Sequence, residues 1–177
     1  DSYEDDGLEF SANYYHPRFF TDFSATYYFA TETCDADFAE TLRNNAYGRP
    51  TKDTPDCTPG GYIGSYINAQ NPPKFSANLT LGQHFYNQKL TVGARSTYTS
   101  GPTEVLDQPW QQSETSPQIE YKSVTLLDLF LTYKPNDNVA LNTALQNVTD
   151  RYYLDALSQS FMPSPGRTFK AGVTVKF

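Results

Sequence analysis

Apolar and polar residues alternate with a period of two along most of this chain, the mark of extended strands with one greasy face. Leu8, Phe10, Ala12 and Tyr14 form one apolar row, with Glu9, Ser11, Asn13 and Tyr15 opposite. After His16-Pro17-Arg18 the pattern resumes as Phe19, Thr21, Phe23, Ala25, Tyr27 and Phe29. Phe75, Ala77, Leu79 and Leu81 make a third row, and Leu90, Val92 and Ala94 a fourth. Leu127, Leu129, Leu131 and Tyr133 make a fifth, and Val139, Leu141 and Leu145 a sixth. In the seventh, Phe169, Ala171, Val173, Val175 and Phe177 face one way while Thr168, Lys170, Gly172, Thr174 and Lys176 face the other. Helical spacing is scarce, so the pattern predicts an all-β chain.

The connections alternate between short and long. The short ones are His16-Pro17-Arg18, Asn87-Gln88-Lys89 and Pro135-Asn136-Asp137-Asn138, all turn chemistry. The long ones cover roughly 32–73, 101–120 and 149–166. Outer-membrane barrels have short periplasmic turns and long extracellular loops, whereas a soluble sandwich has no reason to place every long connection at one end. The expectation is a transmembrane antiparallel β-barrel. Such barrels use an even strand number in bacteria. Seven strands entered from the acidic 1–6 segment therefore read as the C-terminal part of one larger barrel domain, covering 1–177. The alternative is a small autonomous barrel, an adhesin or anchor, with an eighth strand hidden within 32–73.

Composition agrees. No run reaches the ~18–20 apolar residues of a spanning helix, but a spanning strand needs only ~9–11 residues, half of them facing lipid. The mean hydropathy of -0.61 therefore does not exclude a membrane. Tyr (14) and Phe (12) supply nearly all the aromatic content, which suits interfacial girdles. A net charge of -7 argues against nucleic acid, whose phosphates need clustered Lys and Arg. The first residues, DSYEDD, do not form a signal peptide, so the chain is expected to be a mature product or a piece of a longer one. Cys34 and Cys57 predict a disulfide in an extracytoplasmic setting, and a metal pair is disfavoured because no His lies nearby. Bridged, they would staple the long 32–73 connection into a lobe that gates the barrel or docks a protein.

The segment from Leu141 to Phe177 resembles the C-terminal signature of TonB-dependent outer-membrane receptors. Its parts are Asn147-x-x-Asp150-x-x-Tyr153, a later Pro165-Gly166-Arg167, and the closing strand. Within that strand, Gly172-x-x-Val175-x-Phe177 resembles the signal read by barrel-assembly machinery. The resemblance implies a barrel of about 22 strands around an N-terminal plug, with uptake driven by the TonB complex. Tyr152 to Ser158, the run from Met162 to Arg167, and Asn71-Pro72-Pro73-Lys74 are similar to the haem and haemophore receptor branch. That likeness implies haem as the transported ligand, taken directly or from a haemophore or host haemoprotein. Ferric-siderophore and other metallophore receptors share the wider pattern.

Candidate chemistry is sparse. Haem receptors use His or Tyr as axial ligands. The chain has His16, in a short turn, and His84, close to another, both at the end away from extracellular haem. Axial ligands would then lie elsewhere in the receptor. Tyr47, Tyr62 and Tyr66 in the long connection are candidates for touching a ligand or partner. Arg95, Asp22, Glu9, Asp128 and Lys170 alternate inward, where they would meet the plug or line a water path. Ser158 and Ser160 have no nearby base, and no zinc or phosphate-loop spacing occurs, so no enzyme and no bound cofactor are expected.

Overall fold

A computed structural model describes residues 2–44, 54–59, 72–101, 122–155 and 163–177. Seven antiparallel strands form one continuous wall in sequence order: β1 (Ser2–His16), β2 (Phe19–Cys34), β4 (Phe75–Phe85), β5 (Leu90–Thr99), β6 (Val124–Asn136), β7 (Val139–Gln146) and β8 (Thr168–Val175). A short β3 (Cys57–Pro59) pairs only with the far end of β2, beside the helix α1 (Ala36–Asn44). The sheet is thus a meander, each strand bonded to its neighbours in the chain. The eighth strand does lie within 32–73, but it belongs to a lobe and not to the wall. Ser2–Asp6 is strand as well, not a lead-in: these residues pair with Ala30–Cys34 beyond a bulge at Asp6/Gly7. Acidic residues suit this end because it projects past the apolar band into water.

Register sets the two faces. One outward level runs Tyr14, Thr21, Leu81, Ala94, Leu129, Leu145, Phe169. Its neighbour toward the short turns runs His16, Phe19, Gln83, Val92, Leu131, Thr143, Ala171. Every expected apolar row lies on this one face. Among the described residues the only fully buried hydrophobic residue is Ala39, while Leu8 (64%), Leu81 (51%) and Phe169 (68%) stay exposed. A water-soluble fold would bury such a surface; here it is the face that meets hydrocarbon. Paired rings mark its borders: Tyr14–Phe19 at 5.5 Å near the short turns, and Tyr27–Phe29 at 5.3 Å and Phe75–Tyr98 at 5.9 Å toward the long loops.

The tight turns follow from their residues. Asn136 Oδ1 accepts hydrogen bonds from the backbone N–H groups of Asn138 and Val139, both at 3.0 Å, closing the β6–β7 hairpin as an Asx turn. The β4–β5 turn carries Tyr86, Asn87 and Gln88 at positive φ (53°, 54° and 66°), and Lys89 N–H donates to Tyr86 O at 3.2 Å.

Candidate functional site

The inner face carries the chemistry. One level runs Asn13, Asp22, Thr80, Arg95, Asp128, and the next toward the loops runs Ser11, Ser24, Asn78, Thr97, Leu126. Most of these side chains line a shallow recess of about 470 Å³ on the lumen wall. Arg95 Nε donates to Thr80 Oγ1 at 3.3 Å, and Thr97 Oγ1 donates to Asn78 Oδ1 at 3.0 Å. Asp22 accepts the hydroxyl of Tyr15, and Asp128 Oδ1 accepts the Asn147 backbone N–H at 2.8 Å. Although Arg95 and Asp128 are register partners, they form no ion pair, so the Arg95 charge faces the recess. The alternation places Glu9 and Lys170 on the same face.

The level below the recess runs Tyr15, Phe20, Gly82, Gly93, Phe130, Ala144, Lys170. A Cβ on Gly82 would lie 2.2 Å from the Phe20 ring, and one on Gly93 would lie 2.2 Å from the Phe130 ring. The two rings therefore lie flat across their glycine partners instead of standing into the lumen. Tyr15 stacks beside Phe20 at 6.2 Å, and His84 sits 5.3 Å from it on the other side. The result is a low aromatic shelf on an otherwise polar wall. Alternation alone gave Phe20 and Phe130 no role; the signal was a strand-interior glycine in each neighbouring row.

The long-loop end is tied by the Asn147–Asp150 signature. Asn147 is 4% exposed and has φ 49°. Its Nδ2 donates to Arg151 O at 2.9 Å and reaches Pro165 O at 3.4 Å, while its Oδ1 accepts Arg151 N–H at 2.9 Å. Asp150 Oδ1 accepts Arg167 N–H at 2.7 Å, and its other carboxylate oxygen lies 3.7 Å from the Arg167 guanidinium. A Cβ on Gly166 would sit 2.7 Å from Asp150 Oδ1, so a larger residue there would push the carboxylate off its bond to Arg167 N–H. The motif therefore fastens both ends of the last long loop to β6, β7 and β8.

Cys34 and Cys57 are joined, as the sequence anticipated. The bridge pins β3 to β2, and α1 follows at once: Asp35 Oδ1 caps it by accepting Phe38 N–H at 2.8 Å. Arg43 of α1 reaches back to Thr54 O at 2.8 Å and pairs with Asp56 at 2.7 Å. In the chain-entropy model a bridge of this span stabilises by about 3 kcal/mol. We expect Cys34→Ser with Cys57→Ser to leave the wall assembled while limited proteolysis cuts between β2 and β4 faster. Cutting at the wild-type rate would show that the lobe does not need the bridge.

Among the sequence candidates, Gly172 and Val175 lie on β8, the former with open space where a Cβ would go; Phe177 is fully exposed just past it. Tyr47, Tyr62 and Tyr66 lie outside the described residues. His16 Nδ1 accepts Arg18 N–H at 3.2 Å, and His84 Nδ1 lies 2.9 Å from Thr91 Oγ1, both near the short turns. At the other end, partial burial and the Asp5 carboxylate push the Tyr3 phenol up to about 12.

No protein-family model matches the chain. A hemophilin receptor of Acinetobacter baumannii is 26% identical over 186 residues, covering 97% of this chain and 17% of the relative. A probable TonB-dependent receptor of Haemophilus influenzae is 26% identical over 167 residues, covering 85% of this chain and 17% of its own length. The chain therefore spans about a sixth of these relatives. The Serratia marcescens hemophore receptor HasR, solved in complex with its hemophore HasA and heme, superposes with a TM-score of 0.57 at 22% identity, covering 97% of this chain and 21% of that one. In fold the chain is part of an outer-membrane β-barrel, and along most of its length it is similar to TonB-dependent receptors.

Proposed function

We propose that the chain is the C-terminal part of one barrel domain in a receptor that imports haem across the bacterial outer membrane, directly or from a haemophore or host haemoprotein. The observation that carries this reading is the similarity to a hemophilin receptor along 97% of the chain, lobe and closing strands included. In this reading the long-loop end is extracellular, and the tied 149–166 loop and the Cys34–Cys57 lobe present a docking face to the haem donor. Tyr47, Tyr62 and Tyr66 belong to that face. A plug in the rest of the receptor couples to TonB and supplies the axial ligands. Gly172, Val175 and Phe177 direct assembly into the membrane. The outward face contacts lipid, haem is cargo and not a resident cofactor, and the work is binding and translocation without turnover.

Ferric-siderophore receptors share this barrel and are the second reading. The test is growth of a haem-uptake-deficient strain expressing the full-length receptor, with haemin as sole iron source. Growth that disappears when TonB is deleted supports the reading. Growth only on ferric siderophores moves the receptor to the second.

A further inference from the structure

The aromatic shelf and the Arg95 guanidinium, which makes no close ion pair among the described residues, occupy adjacent levels of one wall. On β5, Gly93 and Arg95 are two residues apart and share the inner face; on β6, Phe130 and Asp128 do the same. Each pair is therefore separated by about 7 Å along its strand. Phe20 and Phe130 lie flat over Gly82 and Gly93 and so turn ring faces toward the lumen. Immediately above them the 470 Å³ recess holds Arg95, whose Nε is spent on Thr80 while the terminal guanidinium nitrogens have no ion-pair partner among the described residues. Asp128, its register partner, is instead occupied by the Asn147 backbone N–H.

We infer that this stretch of wall is a transit subsite for a planar aromatic anion. The Phe20 and Phe130 faces take the apolar plane, and Arg95 takes a carboxylate. Asp22 and Asp128 line the same recess, so their carboxylates oppose the anion and, with the neutral Ser24, Asn78 and Thr97 and the water they hold, keep its contact with Arg95 loose. Weak, wet contact is what a passage needs, since a tight site would stop the cargo. The inference rests on the haem-import reading and adds the wall residues that handle the cargo below its capture site. Flattening by the glycines is essential to it: rings standing into the lumen would obstruct the wall, and polar residues in their place would offer no face.

The carboxylate that Arg95 meets has two possible sources, the cargo itself or a side chain of the segment that fills the lumen. Both are distinguished by comparing haemin with haemin dimethyl ester in the full-length receptor. Capture is read by Soret titration of the extracted receptor, and uptake by iron-57 haemin accumulation in TonB-competent cells. For Arg95→Gln we expect unchanged haemin capture and uptake slowed about tenfold, the loss of one charge-assisted contact. Arg95→Lys should recover part of the rate. The ester should enter the wild type and Arg95→Gln equally slowly, and Phe130→Ala should slow haemin and ester alike. Equal slowing of both cargoes by Arg95→Gln would overturn the inference in favour of a protein carboxylate, and wild-type uptake in that variant would overturn it outright. Failure of the wild type to bind haemin at all would instead remove the haem reading on which it rests.

Discussion

Leu129→Arg should prevent the receptor from assembling as a heat-modifiable barrel. Leu129 lies in the middle of the outward face, with Ala94 and Leu145 as register partners and Leu81 and Phe169 on the same level. Its side chain is 43% exposed in the wall, and in the membrane that exposed surface is solvated by lipid tails. An Arg at the bilayer midplane costs about 2–4 kcal/mol, a large fraction of a typical folding free energy. Snorkelling gives little relief, because the polar borders lie several residues away along the strand. The control is Thr80→Arg, one residue earlier than Leu81 on β4 and therefore on the opposite, water-facing side of the same wall. That variant should assemble normally. Gel migration before and after heating separates the two, and equal behaviour would mean that the faces are assigned the wrong way round.

Asn147→Ala should be the most damaging change outside the membrane band. The amide bonds to Arg151 through both its oxygen and its nitrogen and touches Pro165. Its truncation removes three hydrogen bonds to the exposed residues Arg151 and Pro165, each worth about 0.5–1.5 kcal/mol. Asn also tolerates the left-handed φ of 49° better than Ala does, a difference of about 1 kcal/mol. Together the loss is about 3–5 kcal/mol, concentrated where β7 hands over to β8. Asn147→Gly keeps the backbone conformation accessible and removes only the bonds, so it should recover roughly 1 kcal/mol of the deficit. Urea unfolding in lipid vesicles reads both variants. A deficit below 1 kcal/mol for Asn147→Ala would show that the signature is not what holds the loop base.

The wall was legible because lipid enforces a rule. Outward positions at membrane depth are mostly apolar and inward ones are free, so Leu79, Leu81, Leu129 and Leu131 announce their face without any knowledge of neighbours. The rule lapses beyond the membrane. Ser2–Asp6 carries no apolar row, yet it is strand, because its ladder with β2 is built from backbone hydrogen bonds that need no greasy partner. The same holds for β3 and α1. The helix buries only Ala39 and depends on the Asp35 cap, the Arg43–Asp56 pair and the nearby bridge, none of which leaves a periodic trace.

Of the lumen wall, the inward charges followed from alternation, but their grouping did not. Phe20 meets Gly82 only through the β2–β4 pairing, across the long 35–74 connection, and Gly93 meets Phe130 only through the β5–β6 pairing. Across the 100–123 connection that register cannot be counted from the sequence. Asn147 was recognisable as part of a signature long before its bonds were visible. The motif names the residue, and the geometry explains why an amide with a donor and an acceptor is needed to close a loop at both ends.

The most direct test of the account is a haemin titration of the intact, detergent-extracted receptor, followed at the Soret band. A saturable, red-shifted band at one haem per receptor is expected, retained when His16 and His84 are replaced, because both lie at the short-turn end of the wall. No saturable band, with intrinsic fluorescence quenched instead by a ferric siderophore, would contradict haem as the cargo and leave only the barrel standing.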